Sequence, residues 1–258
     1  MRRRAVPLAA ALLALVLAAC GGGGGGGDQP ARPALTVSAA SSLKDAFTAY
    51  GRAFPGAEVR LSFAGSDDLA AQIRQGVKPD VFAAANTKLP DALAHEGLVE
   101  RPRVFAGNEL VIAVPADGRG VASMSDLGRR GVKLALGSEG VPVGDYARQV
   151  LGRLGAAQRD AVMANVRSNE PDVKGVVGKL VQGVVDAGLV YRTDVTATDG
   201  RLRAIPLPDA LRPQVAYGVA VVRGARHPAQ ARAFVAGLIR GRGAAELRRQ
   251  GFLPAPGA

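Results

Sequence analysis

The chain of 258 residues contains one cysteine, two histidines and no tryptophan. A single cysteine excludes an intramolecular disulfide and any multi-cysteine zinc or iron–sulfur site. His95 and His227 leave little material for a histidine-rich metal site or a histidine-based triad. Aromatic residues make up only 4% of the chain, which fits base stacking on single-stranded nucleic acid poorly. No Gly-x-Ser-x-Gly elbow, Walker loop or metal-ligand cluster occurs. His95-Glu96 lacks the second histidine of a zincin motif and reads as a surface pair. Asp80 and Asp194 read as helix- and loop-positioning residues rather than as an acid–base pair. The sequence therefore points away from an enzyme, and no cofactor is expected.

What is present is an apolar fraction of 48%, ample for a buried core. The length suits one large domain or two small ones. Lys and Arg number 33 against 22 acids, a formal charge of +11. Part of that excess lies in a leader. Arg2, Arg3 and Arg4 precede an apolar run over residues 6–19, shorter than the roughly 20 residues of a spanning helix. This is the pattern of a signal peptide over 1–19. It ends Leu17-Ala18-Ala19-Cys20, which resembles a bacterial lipobox, so Cys20 is expected to be acylated. Seven glycines at 21–27 make residues 20–33 a flexible tether. Loss of 1–19 removes three arginines and no acid, leaving +8. The remaining basic clusters, 223–226 and 240–249, read as solvated surface, and no nucleic-acid partner is expected. Attraction to anionic head groups, or long-range steering of an anionic ligand, suits that charge better.

From Leu35 onward the pattern alternates. Strands are expected at 35–38, 58–62, 80–83, 109–114, 133–136, 187–191 and 215–222. Helices are expected at 43–54, 67–75, 89–96, 145–154 and 171–182, with two more closing the chain. The fold class this implies is α/β, with mixed, mostly parallel sheets covered by helices on both faces. In such sheets ligands bind beyond the carboxyl ends of strands, where loops lead into helix N-termini.

Four of these turns share a chemistry. They are Ala-Ala-Ser-Ser-Leu at 39–43, Phe-Ala-Gly-Ser-Asp-Asp-Leu at 63–69, the loop at 137–146, and Ser-Asn-Glu-Pro-Asp-Val-Lys-Gly at 168–175. A helix start offers unpaired backbone N–H donors and the positive end of a dipole. Small residues let an anion approach them, and a serine adds an uncharged donor. Helix capping is the better explanation of any one of these turns taken alone. The set, in an exported chain, points to an oxyanion site.

The ordered blocks resemble the periplasmic molybdate-binding protein family. They are Ala-Ala-Ser-Ser-Leu at 39–43, Ser-Phe-Ala-Gly-Ser-x-x-Leu-Ala-x-Gln-Ile at 62–73 and Pro-Asp-Val-Phe-Ala-Ala-Ala-Asn at 79–86. Gly-Asn-Glu-Leu-Val-Ile-Ala-Val-Pro at 107–115, Val-Pro-Val-Gly-Asp-Tyr at 141–146 and Gly-Leu-Val-Tyr at 188–191 continue the series. The resemblance implies the type II periplasmic-binding-protein fold, with two lobes closing on the ligand. Residues 34–108 plus 218–258 would form lobe 1 and 113–213 lobe 2, joined by hinge strands 109–114 and 215–222. It implies a monomeric receptor that captures molybdate, with tungstate a second ligand, for an ABC permease and its ATPase. By position, Ser42 and Ser66 match hydroxyl donors, Val143 and Val173 backbone N–H donors, and Tyr191 a phenolic donor. These would contact the oxyanion with no direct metal ligand. Val143 is bulkier than the small residue usual at its position, a change its backbone role survives. Asp67, Asp68 and Asp145 lie beside these donors and are expected to face solvent, because a carboxylate in the cleft would repel a dianion.

The alternative is a receptor for sulfate, ferric iron or a small organic anion. Ferric sites in related folds pair tyrosines, whereas Tyr50, Tyr146, Tyr191 and Tyr217 are dispersed along the sequence.

Overall fold

The computed structural model describes residues 32–118 and 120–257, so the leader, Cys20 and the glycine run lie outside the described residues. The described chain builds two five-stranded sheets. The first contains β1 (Ala34–Ala40), β2 (Glu58–Ala64), β3 (Val81–Ala84), β4 (Arg103–Asn108) and β10 (Val215–Val221), in the order β2-β1-β3-β10-β4. The second contains β5 (Leu110–Pro115), β6 (Leu134–Gly137), β7 (Val166–Glu170), β8 (Ala187–Tyr191) and β9 (Leu202–Pro206), in the order β7-β6-β8-β5-β9.

The two orders follow one plan. In each sheet the first three strands run parallel, and the fourth and fifth pair antiparallel. The antiparallel fourth strand is the one that arrives from, or precedes, the other sheet. The chain crosses at Glu109, between β4 and β5, and returns over residues 207–214. Both sheets are thus mixed, and the crossing strands make the antiparallel share as large as the parallel one.

Alternation along the strands fixes which helices cover which face. In the first sheet Val37, Val81, Ala83, Val219 and Val221 belong to one apolar cluster with α1 (Lys44–Ala53), α8 (Pro228–Ile239) and α9 (Arg242–Arg249). Phe82, Ala84, Ala220 and Val222 point the other way, onto Leu69 and Ile73 of α2 (Ser66–Arg74) and Leu93 of α3 (Lys88–His95). The few aromatic residues concentrate on the first face. The rings of Tyr50 and Phe234 stand 4.5 Å apart, and Tyr50 Oη donates to the Phe234 carbonyl at 3.1 Å. The second sheet packs against α4 (Pro142–Gly152) and α6 (Val173–Val181), through Val150, Leu151, Val176 and Leu180. Helices α5 (Ala156–Ala164) and α7 (Arg192–Thr196) complete that half.

Several elements were invisible in the sequence pattern. Strand β7, Val-Arg-Ser-Asn-Glu, alternates partly buried and exposed positions at a sheet edge, where polar residues are tolerated. Strands β4 and β9 and helices α5 and α7 were also unforeseen. Helix α4 begins at Pro142 rather than Asp145, since proline suits the first turn.

Asp80 acts as the staple expected of it. Its Oδ2 accepts from Thr36 N at 2.7 Å and Thr36 Oγ1 at 2.8 Å, and its Oδ1 from His227 N at 2.9 Å. Burial works against its charge, but these donors outweigh it and hold the carboxyl below its ordinary pKa.

Candidate functional site

The carboxyl ends of β1, β2, β3, β6, β7 and β8 face one another across the two sheets. The loops and helix starts that follow enclose a pocket of about 200 Å3, counting its open mouth. Ser42, Ser66, Val143, Val173 and Tyr191 all line it, together with Ala40, Ser41, Ala64, Gly65, Ala85, Val141, Pro142 and Asp172. No lysine, arginine or histidine is among these residues.

Capping does not account for the serines. Ser41 and Ser42 lie in a short 3-10 turn before α1, and neither caps a helix. Ser66 is the first residue of α2, not its cap, and no side chain caps that helix. Both hydroxyls instead accept hydrogen bonds from inside the protein. Ala85 N donates to Ser66 Oγ, and Tyr217 Oη donates to Ser42 Oγ, each at 3.1 Å. Their protons remain available to the pocket.

The valines contribute backbone. Val143 is the second residue of α4, which has no side-chain cap, and Val173 is the first of α6. At those positions an N–H has no intrahelical acceptor. Their side chains are buried in the core, so packing and donation are served by different parts of one residue.

Tyr191, at the end of β8, is 1% exposed. Its hydroxyl is buried and has no hydrogen-bond partner among the described residues. A buried phenol without a partner costs about 1–3 kcal/mol. Burial raises its pKa well above 10, with Tyr217 and Tyr146 adding to the shift, so it stays a protonated donor.

Close approach between the halves depends on glycine. A Cβ on Gly65, just before α2, would stand 2.6 Å from the Pro171 carbonyl that precedes α6. A Cβ on Gly144 would meet the Ser138 and Gly137 carbonyls at 2.0 and 2.4 Å, so only glycine lets α4 start beneath the β6 loop.

The acids sort differently. Asp68 is exposed, as expected. Asp145 is half-buried, accepts from Gly140 N at 2.8 Å and faces Lys88 Nζ at 3.6 Å. Asp67 departs from expectation: it does not line the pocket, but its Oδ1 is buried without a partner. Burial, then repulsion from Asp68 and Asp145, raises its pKa against the hydrogen bonds it accepts. The acid that does line the pocket is Asp172. Its Oδ1 is turned into the first turn of α6, accepting from Gly175 N at 2.9 Å.

Sequence separation misled on the tyrosines. The rings of Tyr146 and Tyr191 are 6.4 Å apart, and those of Tyr191 and Tyr217 5.8 Å. Their hydroxyls are not gathered in the pocket. Tyr146 Oη accepts from Ala216 N at 3.3 Å, and Tyr217 Oη is engaged with Ser42 and Asn108. Only Tyr191 lines the pocket, and burial opposes the phenolate that iron requires. Among the described residues no group of three or more His, Cys, Asp or Glu could hold a metal ion. Tyr217 and Asn108 were missed from the sequence; nothing local marks a tyrosine in an apolar strand as part of a site.

Two α/β halves with uncharged donors gathered between their strand ends define a binding protein for a small solute. The chain belongs to the bacterial extracellular solute-binding protein family, which it matches over residues 35–253. It is 35% identical over 225 residues to the molybdate-binding protein ModA of Mycobacterium tuberculosis, covering 85% of this chain and 84% of that one. It is 32% identical over 231 residues to ModA of Escherichia coli, covering 84% and 88%. Among solved structures, the periplasmic molybdate-binding protein of Azotobacter vinelandii shares the fold with a TM-score of 0.74 at 20% identity, covering 85% and 98%.

Proposed function

We propose that this chain captures molybdate, with tungstate as a second ligand, outside the cytoplasm and delivers it to the permease and ATPase of an ABC importer. The observation that carries the reading is a pocket that offers hydroxyl and N–H donors and no cation, with the Asp172 carboxylate turned onto Gly175 N, and in which the Tyr191 hydroxyl has no partner among the described residues. A fully deprotonated oxyanion accepts from every side and suits such a set. Each hydrogen bond to a charged oxygen contributes about 1.5–3 kcal/mol. The names of the relatives support molybdate over other oxyanions. The ligand is taken up and released unchanged, so the chain is no enzyme.

In this reading Ser42 and Ser66 belong to lobe 1, residues 34–108 and 218–258, and Val143, Val173 and Tyr191 to lobe 2, residues 113–213. The lobes pivot where the chain crosses, at Glu109 and over 207–214, beside the connecting strands 109–114 and 215–222. Lys88 with Asp145, and Lys174 with Asp45 at 3.9 Å, then pair across the cleft. Residues 1–19 direct export, and a lipid on Cys20 holds the monomer at the membrane.

Titration with molybdate, tungstate, sulfate and phosphate, followed by calorimetry and thermal midpoint, tests the proposal. Molybdate is expected to bind tightest. Ser42→Ala and Ser66→Ala should each weaken it by about 1–3 kcal/mol. Unchanged affinity in both variants refutes the site.

A further inference from the structure

Tyr217 is fully buried in β10, at a register shift in the pairing with β4. Such bulges re-aim side chains. Its hydroxyl lies 3.1 Å from Ser42 Oγ and 3.4 Å from Asn108 Nδ2. The direction of each bond is set from the far end. Glu109 N donates to Asn108 Oδ1 at 2.9 Å, which turns the amide nitrogen inward. Asn108 Nδ2 donates to Thr193 Oγ1 at 2.9 Å and to the Tyr217 oxygen. The Tyr217 proton is left for Ser42 Oγ. Burial raises the Tyr217 pKa well above 10, so this donor persists across the physiological range.

A serine hydroxyl has three staggered positions, shared by one proton and two lone pairs. The position facing Tyr217 must hold a lone pair, so the Ser42 proton can take only the other two. Without Tyr217 Oη the proton could turn back into the protein and present lone pairs to the ligand. Ser66 is fixed similarly, by the Ala85 N–H.

We propose that Tyr217, itself held by Asn108, is a positioning residue that keeps the Ser42 proton turned into the pocket and so excludes oxyanions that carry a hydrogen, hydrogen phosphate above all. The inference rests on the oxyanion-receptor reading above. A ligand O–H needs an acceptor; the Ser42 and Ser66 oxygens are already occupied and Asp172 Oδ1 is taken by Gly175 N, so at these groups the ligand O–H goes unpaired. Sulfate and phosphate are alike in size and differ at neutral pH in that hydrogen, so their ratio reads the device directly.

The test is competition of sulfate and of phosphate against molybdate at pH 7.5, in the wild type and in Tyr217→Phe. The phenyl ring keeps the packing against Phe252, Tyr191 and Phe105, at 5.4, 5.8 and 6.1 Å. In the wild type, sulfate should displace molybdate better than phosphate does. In Tyr217→Phe the sulfate-to-phosphate affinity ratio should fall at least fivefold, with molybdate weakened. Asn108→Asp supplies a second route, because a carboxylate there draws the Tyr217 proton away from Ser42. It should lower the same ratio, and it carries the test if the phenylalanine variant does not fold. A ratio within twofold of wild type in a folded variant, or phosphate still unable to displace molybdate, overturns the proposal. A wild type that binds no molybdate overturns the receptor reading instead, before any substitution is made.

Discussion

Replacing Tyr191 by phenylalanine should separate binding from stability, because the hydroxyl has no partner among the described residues. The ring contacts with Tyr146 and Tyr217 survive the change. Without ligand, the variant sheds a buried, unpaired hydroxyl whose desolvation costs about 1–3 kcal/mol. Its thermal midpoint should therefore stay level or rise. With ligand, it loses one hydrogen bond to a charged oxygen, about 2 kcal/mol, or roughly a 30-fold weaker Kd. Molybdate at 100 times the wild-type Kd stabilises the wild type by about 2.7 kcal/mol. By the same relation it stabilises a 30-fold weaker variant by about 0.9 kcal/mol. For a domain of this size the difference corresponds to roughly 4–7 °C of ligand-induced shift. Calorimetry gives the Kd, and thermal unfolding with and without molybdate gives the shift. A variant that binds as tightly as wild type, or unfolds earlier without ligand, refutes the assignment of this hydroxyl to the ligand.

Gly144→Ala should destabilise the protein by about 1–3 kcal/mol or more in urea unfolding and abolish molybdate binding, since its Cβ would overlap two carbonyls at the start of α4. Gly152→Ala, at the other end of that helix with nothing within 4 Å, is the control and should be neutral or mildly stabilising. Asp194 has a side chain with no exposure, facing Lys174 Nζ at 3.1 Å, and burial lifts its pKa to about 6 against that pairing. The folded state thus holds this proton more tightly than the unfolded chain. The associated stability is full below about pH 4 and is lost as pH rises through about 6. The free-energy difference between Asp194→Asn and wild type should move in the variant's favour by about 1–3 kcal/mol between pH 4 and pH 7. Urea unfolding at the two pH values checks it, and an equal difference at both refutes the buried-carboxylate account.

The parts of the site that were legible in the sequence are those set by local chemistry. A serine, glycine or proline at a strand-to-helix turn announces a helix start, and Ser42, Ser66, Val143 and Val173 sit at or just before such starts. What stayed hidden depends on contacts far apart in the chain. Asn108 and Tyr217 meet across 109 residues, and Asn108 and Thr193 across 85. Tyr146, Tyr191 and Tyr217 look unrelated in sequence and pack ring against ring, edge-on or tilted, in space. The edge strand β7 has one apolar residue in five and is a strand only because β6 pairs with it. Likewise, the sequence pattern could not separate a capping serine from a pocket-lining one. That distinction lay in Ala85 and Tyr217, which occupy the serine oxygens.

The division of donors between the two halves bears on why none of them is charged. Ser42 and Ser66 follow strands of the first sheet, while Val143, Val173 and Tyr191 belong to elements of the second. Two or three neutral hydrogen bonds from one half compete poorly with water for a dianion, because each net bond is worth only a few kcal/mol. In the proposed reading all of them together, shielded from water, would hold it firmly. In that reading, separation of the halves would lower affinity steeply. An arginine in either half would blunt that change, since its charge would keep attracting the anion after the other half had left. The nearby cations obey the same logic. Lys88 and Lys174 lie beside the pocket without lining it, each paired with a carboxylate. If the proposed reading holds, uncharged donors suit a protein that must let go, and the opening of the halves, rather than any chemical change in the ligand, would release it.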